Sequence, residues 1–358
     1  MSSLAIVNAG DRSDGVTQSI EPYFESLPRL GYSVRWYQCV DYHGHPHVPE
    51  GGVVVRGLGF PSRTVDMGVN RLWVFPHQLR GLREDTILLA DPTLARIQPT
   101  GGRVAVYVHD VRPLTRYSDR FSTRMTFWDA LPRLRRVWRI IVPSDFVRQS
   151  LVDMNFDPAM IRTVPETHRL GFHPDHLERS LRRVSDRHET RVLYVGTDRP
   201  YKNIDLVLEL AKRFENRAEH RYQFTLVSRL RESTRRRVAE LGLHGVHVLS
   251  DVDSMGRVYE ENDVLLFPSL YEGFGRPLIE AMAYGLPILA NRIPPAAEVV
   301  GGGGFLLDGG DMGAWAHALL SLEDPTVMEA YARRSLERGE TYLPVRFEAS
   351  LLSAIGAS

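Results

Sequence analysis

Residues 263–291 read DVLLFPSLYEGFGRPLIEAMAYGLPILAN. Two apolar runs, 264–267 and 287–290, have the length and composition of buried strands, and they bracket a glycine-rich loop and a short helix over 277–284. Pro277 suits the first helical turn, where its missing N–H is not needed, and Gly285 suits the position just past the end. The loop Glu272-Gly273-Phe274-Gly275 therefore enters a helix N-terminus, whose unpaired amides and dipole favour a phosphate. Glycines at 273 and 275 let the backbone approach a ligand closely. Two carboxylates flank this cradle. Glu272 sits in the loop, and Glu280 sits about one turn into the helix at ~1.5 Å rise per residue; a pair so placed suits two parts of one extended ligand, the plain alternative being that both only favour the helix N-terminus.

Working outward, the same alternation recurs along the chain. Strand patterns fall at 4–7, 33–37, 52–55, 86–89, 104–108 and 140–142, with helical stretches at 16–30 and around 123–136. It loosens at 164–190, where prolines and the charge-rich HLERSLRRVSDRHET place an interdomain connection containing a helix. It then restarts with strands at 191–195, 222–227, 246–249, 264–267 and 287–290, separated by helices at 203–214, 233–241, 255–262 and 277–284. Strands separated by helices imply βαβ units and parallel sheets. At 358 residues the chain is expected to hold two such domains, 1–168 and 169–340, with 341–358 returning to the first. Ligands in such folds bind at the carboxyl ends of the strands, here expected in a cleft that both sheets face. The run Gly301–Gly304 precedes a strand-like FLL and reads as a flexible turn, not as a dinucleotide fingerprint.

Composition excludes several classes. Lysine plus arginine balances aspartate plus glutamate at 44 each, and no basic block occurs, so nucleic acid is not an expected partner. A lone Cys39 excludes an internal disulfide framework and a cysteine-based zinc cluster. The amino terminus has no basic n-region before its short apolar run, and no apolar stretch nears the ~20 residues of a membrane span. Cytoplasmic location is the default expectation, and the inner membrane face is the alternative. The stretch TRMTFWDALPRLRRVWRI, 123–140, mixes aromatic and arginine side chains in a way that suits either peripheral contact with anionic lipid or a half-buried helix. Only two of the 44 basic residues are lysines, Lys202 and Lys212, so a lysine beside a candidate site carries extra information.

The segment PSLYEGFGRPLIEAMAYGLP strongly resembles the donor-site signature of glycosyltransferase family 4, PS-x-x-EGFG-x-P-x-x-EAM-x-x-G-x-P. That family is retaining and has the GT-B fold, α/β with two Rossmann-like domains whose parallel sheets face an interdomain cleft. The resemblance is specific over about thirty residues and continues in weaker register from Tyr107 to Asn291. It implies that Glu272 contacts the transferred sugar, that Glu280 binds the ribose, and that the amides of Phe274 and Gly275 hold sugar hydroxyls and the β-phosphate. VGTDRPYKN, 195–203, resembles the family's phosphate loop. Gly196 and Lys202 match it, but Thr197 stands where an arginine is usual, leaving Arg199 or Arg276 to supply the second cation. LVSRL, 226–230, departs as well, with Ser228 and Arg229 where a glycine is common. In VYVHDVRPL, 106–114, His109 matches a functional histidine that faces the sugar across the cleft, and imidazole suits a hydroxyl ligand or proton carrier near neutral pH. Asp110 beside it and Gly15, in the loop Gly10–Gly15 with its unusual Asp11 and Asp14, are expected on the acceptor side. Ser144 in VPSDFVRQSL reads first as a helix N-cap.

The resemblance implies hexosyl transfer from a nucleoside diphosphate sugar, GDP-mannose or a UDP-hexose, to a glycan, a lipid-linked or a small-molecule acceptor. It implies no metal, because Lys202 and helix amides stabilise the leaving diphosphate. Attack from the leaving-group face explains retention without a protein nucleophile. A nucleotide-sugar epimerase or phosphorylase of the same fold, and a catalytically silent sugar-nucleotide-binding subunit, stay open as alternatives.

Overall fold

The computed structural model describes residues 2–10, 15–41, 48–118, 121–217 and 219–356. It divides into two compact units, Met1–Glu166 with Val345–Ser358, and Thr167–Pro344. Among the described residues the first unit holds β1 (Ser3–Asn8), β2 (Ser33–Val40), β3 (Val53–Arg56), β4 (Thr86–Leu89), β5 (Arg103–Tyr107), β6 (Arg139–Val142) and β7 (Ile161–Thr163). Their order in the sheet is β3-β2-β1-β4-β5-β6-β7, and every pairing is parallel. Helices cover both faces, so successive strand residues enter two different cores. Ala5 and Val7 pack with Ile87, Leu89 and Val106, while Leu4 and Ile6 pack with Leu88, Ala105 and Tyr107. The helix Pro344–Ile355 brings Phe347, Leu351, Ala354 and Ile355 into the second of these cores, where Phe347 meets Tyr23 edge-on at 5.0 Å. Burial of three large side chains at roughly 2 kcal/mol each anchors the returning chain to the first unit.

The second unit holds β8 (Glu189–Val195), β9 (Arg221–Val227), β10 (Val246–Leu249), β11 (Val264–Phe267), β12 (Ile288–Asn291) and β13 (Gly304–Leu307). Its order, β10-β9-β8-β11-β12-β13, is again parallel throughout. In both sheets the order reverses once, between β1 and β4 and between β8 and β11. Loops at the carboxyl ends of those strands diverge to opposite faces and leave the ends uncovered, which is where α/β sheets bind ligands. In the second unit the helix Ile204–Phe214 after β8 packs with Phe224 and Trp315, and the helix Arg276–Ala283 after β11 packs with Tyr259 and Val299 on the other face.

Several local expectations are refined by packing. The charge-rich stretch forms the helix His176–Arg187, which belongs to the second unit. Its Leu177 and Val184 are buried while Glu178, Arg179, Arg182 and Asp186 are exposed. Asp263, at the start of β11, fastens this helix by accepting from Ser180 Oγ (2.7 Å), Arg183 Nη1 (2.7 Å) and the Arg191 amide (2.9 Å). Burial raises the Asp263 carboxyl, with Arg183 pulling the other way. The helical run Arg63–Val69, Asn70–Val74 and Phe75–Gln78 carries no clear sequence pattern, because Gly68 and Pro76 break it; its middle piece is a π-turn. Buried Asn70 organises it, exchanging bonds with the amide and carbonyl of Leu58 and with Asp66. The glycines at 301–304 make a tight turn pressed on Arg338 and β12, where a Cβ at Gly304 would stand 2.6 Å from Ile288 O. Tyr284, Gly285 and Leu286 end their helix in a Schellman motif, with Leu286 N bonding Ala281 O, Gly285 N bonding Met282 O, and Gly285 at φ +67°.

Burial also holds the imidazoles of His168, His176 and His220 below their ordinary value of 6.5. The unfolded chain takes up these protons near pH 6.5 and the folded chain resists, so their contribution to stability is full above that value and is lost as pH falls below it. At His176 burial is the largest cause, and the contact of Nε2 with Glu260 O at 3.0 Å pulls the other way. Thermal unfolding is expected to show Tm falling from about pH 7.5 to 5.5, above the carboxylate range, with a shallower fall for His176→Gln. An identical slope in that variant would contradict the assignment.

Candidate functional site

At the reversal point of the second sheet, two loops far apart in sequence come together. The loop after β8 runs from Gly196 through the 3₁₀ turn Pro200–Lys202, and the loop after β11 runs to Gly275. The Leu270 amide donates to Tyr201 O at 2.7 Å and ties one loop to the other. Beside this tie, Lys202 Nζ meets Glu272 Oε1 at 2.6 Å, both side chains being largely buried. Packing and torsion dictate the small residues here. A Cβ at Gly196 would sit 2.8 Å from Tyr194 Oη. Gly275 has φ +110°, and a Cβ there would press Leu278 Cδ1 at 2.9 Å and Phe267 Cζ at 3.0 Å.

Phe274 turns its ring into the core, edge-on to Tyr342 at 5.7 Å. Its backbone is thereby held at the mouth of the helix Arg276–Ala283. Among the described residues nothing accepts from the amides of Phe274 and Gly275. These are the orphan donors that a helix start presents to an anion. Glu280 is held from two sides, by Tyr259 Oη at 2.8 Å and by Arg276 Nη2 at 3.1 Å. Tyr259 is fully buried, and burial followed by the Glu280 charge keeps its phenol protonated and donating. Arg276 is therefore engaged with Glu280, one helical turn away, and Gly273 is buried in the loop that precedes the helix. Arg199 stands exposed just before the 3₁₀ turn.

The preceding residue, Asp198, is buried and shapes the loop. It accepts from the Arg231 amide (2.7 Å) and from Arg231 Nη2 (3.1 Å). Burial raises its carboxyl, but these bonds and Thr234 more than offset this and hold it below the ordinary value. At the end of β9, Ser228 is buried with a hydroxyl that has no partner among the described residues, and Arg229 is exposed and paired with Asp251 at 2.6 Å.

In the first unit His109 follows β5 and is partly exposed. Its Nδ1 lies 3.3 Å from Glu166 Oε1 and 3.5 Å from Ser19 Oγ. Glu166 is almost wholly buried, and the same oxygen accepts from Ser19 Oγ at 2.7 Å and from Tyr107 Oη at 2.9 Å. A carboxylate at Nδ1 favours the tautomer with the proton there and the lone pair on Nε2. Sequence reasoning singled out His109 but neither Ser19 nor Glu166. Ser19 and Glu166 are 147 positions apart and share no motif, so only the fold brings them together. Asp110 Oδ1 accepts from the Arg112 amide at 2.9 Å, which gives it a turn-forming contact. Gly15 opens the helix Gly15–Arg29; Asp11 and Asp14 lie outside the described residues. Ser144 caps its helix by accepting from the Val147 amide at 3.2 Å. No helix among the described residues is long and apolar enough to cross a membrane.

Comparison with known proteins agrees with these two units. Residues 13–167 match the family described as Glycosyltransferase Family 4, and residues 189–324 match Glycosyl transferases group 1. Among relatives, the O-antigen chain mannosyltransferase B of Escherichia coli is 29% identical over 57% of this chain and 56% of its own. The MMP alpha-(1->4)-mannosyltransferase of Mycolicibacterium hassiacum is 32% identical over 45% of this chain and 38% of its own. The chain thus spans between about two fifths and about three fifths of the length of such relatives. Among solved structures, a sucrose-phosphate synthase from Thermosynechococcus elongatus superposes with TM-score 0.75 at 18% identity, covering 99% of this chain and 98% of that one. The Anabaena protein HepE, in complex with UDP and glucose, superposes with TM-score 0.77 at 14% identity over 100% of both chains. With its two halves matching in tandem and both sheets Rossmann-like, the chain belongs to glycosyltransferase family 4 and has the GT-B fold.

Proposed function

We propose that this chain transfers a hexosyl group from a nucleoside diphosphate sugar to a hydroxyl acceptor, with retention at the anomeric carbon. The observation that carries this reading is the Lys202–Glu272 contact of 2.6 Å beside the unpaired amides of Phe274 and Gly275. A cation and a helix start are what a departing diphosphate needs, and a carboxylate next to them is what a sugar hydroxyl needs. In the free chain the two charges neutralise each other. A donor diphosphate takes over Lys202 and leaves Glu272 to accept from the sugar, while Glu280, already oriented by Tyr259 and Arg276, accepts from the ribose.

The bond from C1 to the diphosphate oxygen breaks, the acceptor oxygen bonds C1 from the same face, and the acceptor proton leaves with the diphosphate. Lys202 and the helix amides supply the positive field, so the transfer is read as metal-independent, with Arg199 as the second phosphate cation. On the N-terminal unit His109 is the hydroxyl ligand or proton carrier, and Glu166 is its positioning residue. Gly15 and Asp110 remain on the acceptor side in this reading. The mannosyltransferase names of the relatives favour GDP-mannose as donor, with UDP-hexoses second; the acceptor class is a glycan, a lipid-linked sugar or a small alcohol.

Incubation with GDP-mannose or UDP-hexoses and a panel of such acceptors is expected to release nucleoside diphosphate and form a glycoside with the donor's anomeric configuration by NMR. An inverted product, or epimerised donor without transfer, would overturn the proposal. For the phosphate site, Lys202→Ala is expected to lower transfer at least ~10-fold, about 1.4 kcal/mol of transition-state stabilisation. Arg199→Ala should cost less, and Lys202→Arg should restore activity only in part because the donor geometries differ. Within the same series Glu280→Ala should raise donor KM and Glu272→Ala should lower kcat; unchanged kcat/KM in Lys202→Ala would refute the site. For the first unit, Glu166→Gln is expected to lower kcat about 10-fold at unchanged donor KM, as loss of an oriented hydroxyl ligand would. The nitrogen NMR signals of His109 should shift toward mixed tautomers, and an unaltered tautomer would remove Glu166 from this role.

A further inference from the structure

Away from the loops described above, the first unit contains a cavity of about 670 Å³ between its π-turn and the helix Phe121–Leu134. Its charged lining consists of Arg80, Arg96, Arg133 and Arg136 against a single carboxylate, Asp129. Arg96 grips Asp129 with two bonds of 2.7 and 2.8 Å, and Arg133 adds a contact of 2.9 Å. Among the described residues no carboxylate pairs with Arg80 or Arg136, so the cavity keeps a net positive charge with two guanidinium groups available. Guanidinium forks match phosphate oxygens in geometry as well as charge.

The surface around this cavity is apolar in an unusual direction. The helix Phe121–Leu134 buries Phe127, Ala130 and Leu134 in the core. On its opposite side Phe121, Met125 and Trp128 lie exposed at 77%, 51% and 56%, spaced at i, i+4 and i+7 along one stripe. Pro132 continues that stripe into the cavity wall, and on the facing wall Trp73 is 70% exposed. A run of exposed large apolar side chains leading into a cationic cavity is a mark of an interaction surface and not of scattered surface residues. Aromatic side chains with arginines beside them suit the boundary between headgroups and acyl chains.

We propose that this face docks on an anionic lipid bilayer, a lipid phosphate entering the cavity at Arg80 and Arg136 while Trp73, Phe121 and Trp128 insert at the headgroup boundary. Charge complementarity selects an anionic surface, and the exposed aromatic stripe requires an apolar layer behind the phosphate, which a free phosphate compound does not offer. The inference does not depend on sugar transfer and is tested without it.

The full chain is incubated with phosphatidylcholine vesicles and with vesicles that also contain phosphatidylglycerol, and binding is read by co-sedimentation and tryptophan emission. Binding is expected only to the anionic vesicles, with a blue shift, and it should weaken as salt is raised. The pair Arg80→Gln/Arg136→Gln should weaken it about 30-fold, following roughly 1 kcal/mol per basic residue at such a surface. The pair Arg80→Lys/Arg136→Lys, which keeps the charge, should retain most of the binding and guards against a folding defect. Trp73→Ser/Trp128→Ser should lose the blue shift. Equal binding to neutral vesicles, no binding to either, or wild-type binding by the glutamine pair would each overturn the proposal. So would stabilisation by inorganic pyrophosphate that depends on Arg80 and Arg136 without any vesicle binding, since it would make the cavity a site for a soluble phosphate.

Discussion

The candidate donor site depends on one topological constraint. Crossovers between parallel strands are right-handed, so where the strand order reverses the helices on either side leave for opposite faces. In the second unit this happens between β8 and β11. The loops that follow these strands are left uncovered by either helix and lie beside each other. The Leu270–Tyr201 backbone bond and the Lys202–Glu272 ion pair are the result. The first unit has the same reversal between β1 and β4, but its polar cluster is gathered next to it, where His109 leaves β5 and Ser19 and Glu166 approach from other segments.

Electrostatics then determines which side chains in these loops are ordered before any ligand arrives. A charge removed from water is costly unless it is paired and hydrogen-bonded. The ionisable groups singled out here obey this rule: Lys202 with Glu272, Glu280 with Arg276 and Tyr259, and Glu166 with Ser19, Tyr107 and His109. Such pairs hold the side chains in place at little net gain in stability. Exposed pairs such as Arg333–Glu329 contribute at most about 1 kcal/mol and leave their side chains free to exchange with solvent. In the cavity beside the π-turn the arginines outnumber the one carboxylate that meets them, and the two it does not meet, Arg80 and Arg136, are exposed to water.

Glycine and aromatic placement connects the chemistry to the core. Gly275 occupies a backbone region that disfavours other residues, and Phe267 and Leu278 fill the space a side chain would need. Phe274 is spent on the core, so that only its backbone faces the loop. The same residues that make the loop suitable for a phosphate thus also fix the angle between β11 and its helix.

The strand-loop-helix unit at 263–291, the alternation of strands and helices in two halves, the N-cap at Ser144 and the prominence of Lys202, Glu272, Glu280 and His109 were all legible in the sequence. Each is a local matter: helix starts, strand runs and close backbone approach are encoded within a few turns of chain. The partners of those residues were not legible. Tyr259 lies 21 positions from Glu280, Lys202 lies 70 from Glu272, and Ser19 lies 147 from Glu166. The stretch at 123–140 showed its mixture of aromatic and arginine residues but not that Trp128 faces outward while Phe127 is buried, nor that Arg80 and Trp73 stand across from it. Sequence alone determined which chemical groups the chain owns and the local backbone that presents them. Only the tertiary structure decided which groups meet, because contacts between distant segments are set by sheet order and register, which no local pattern specifies.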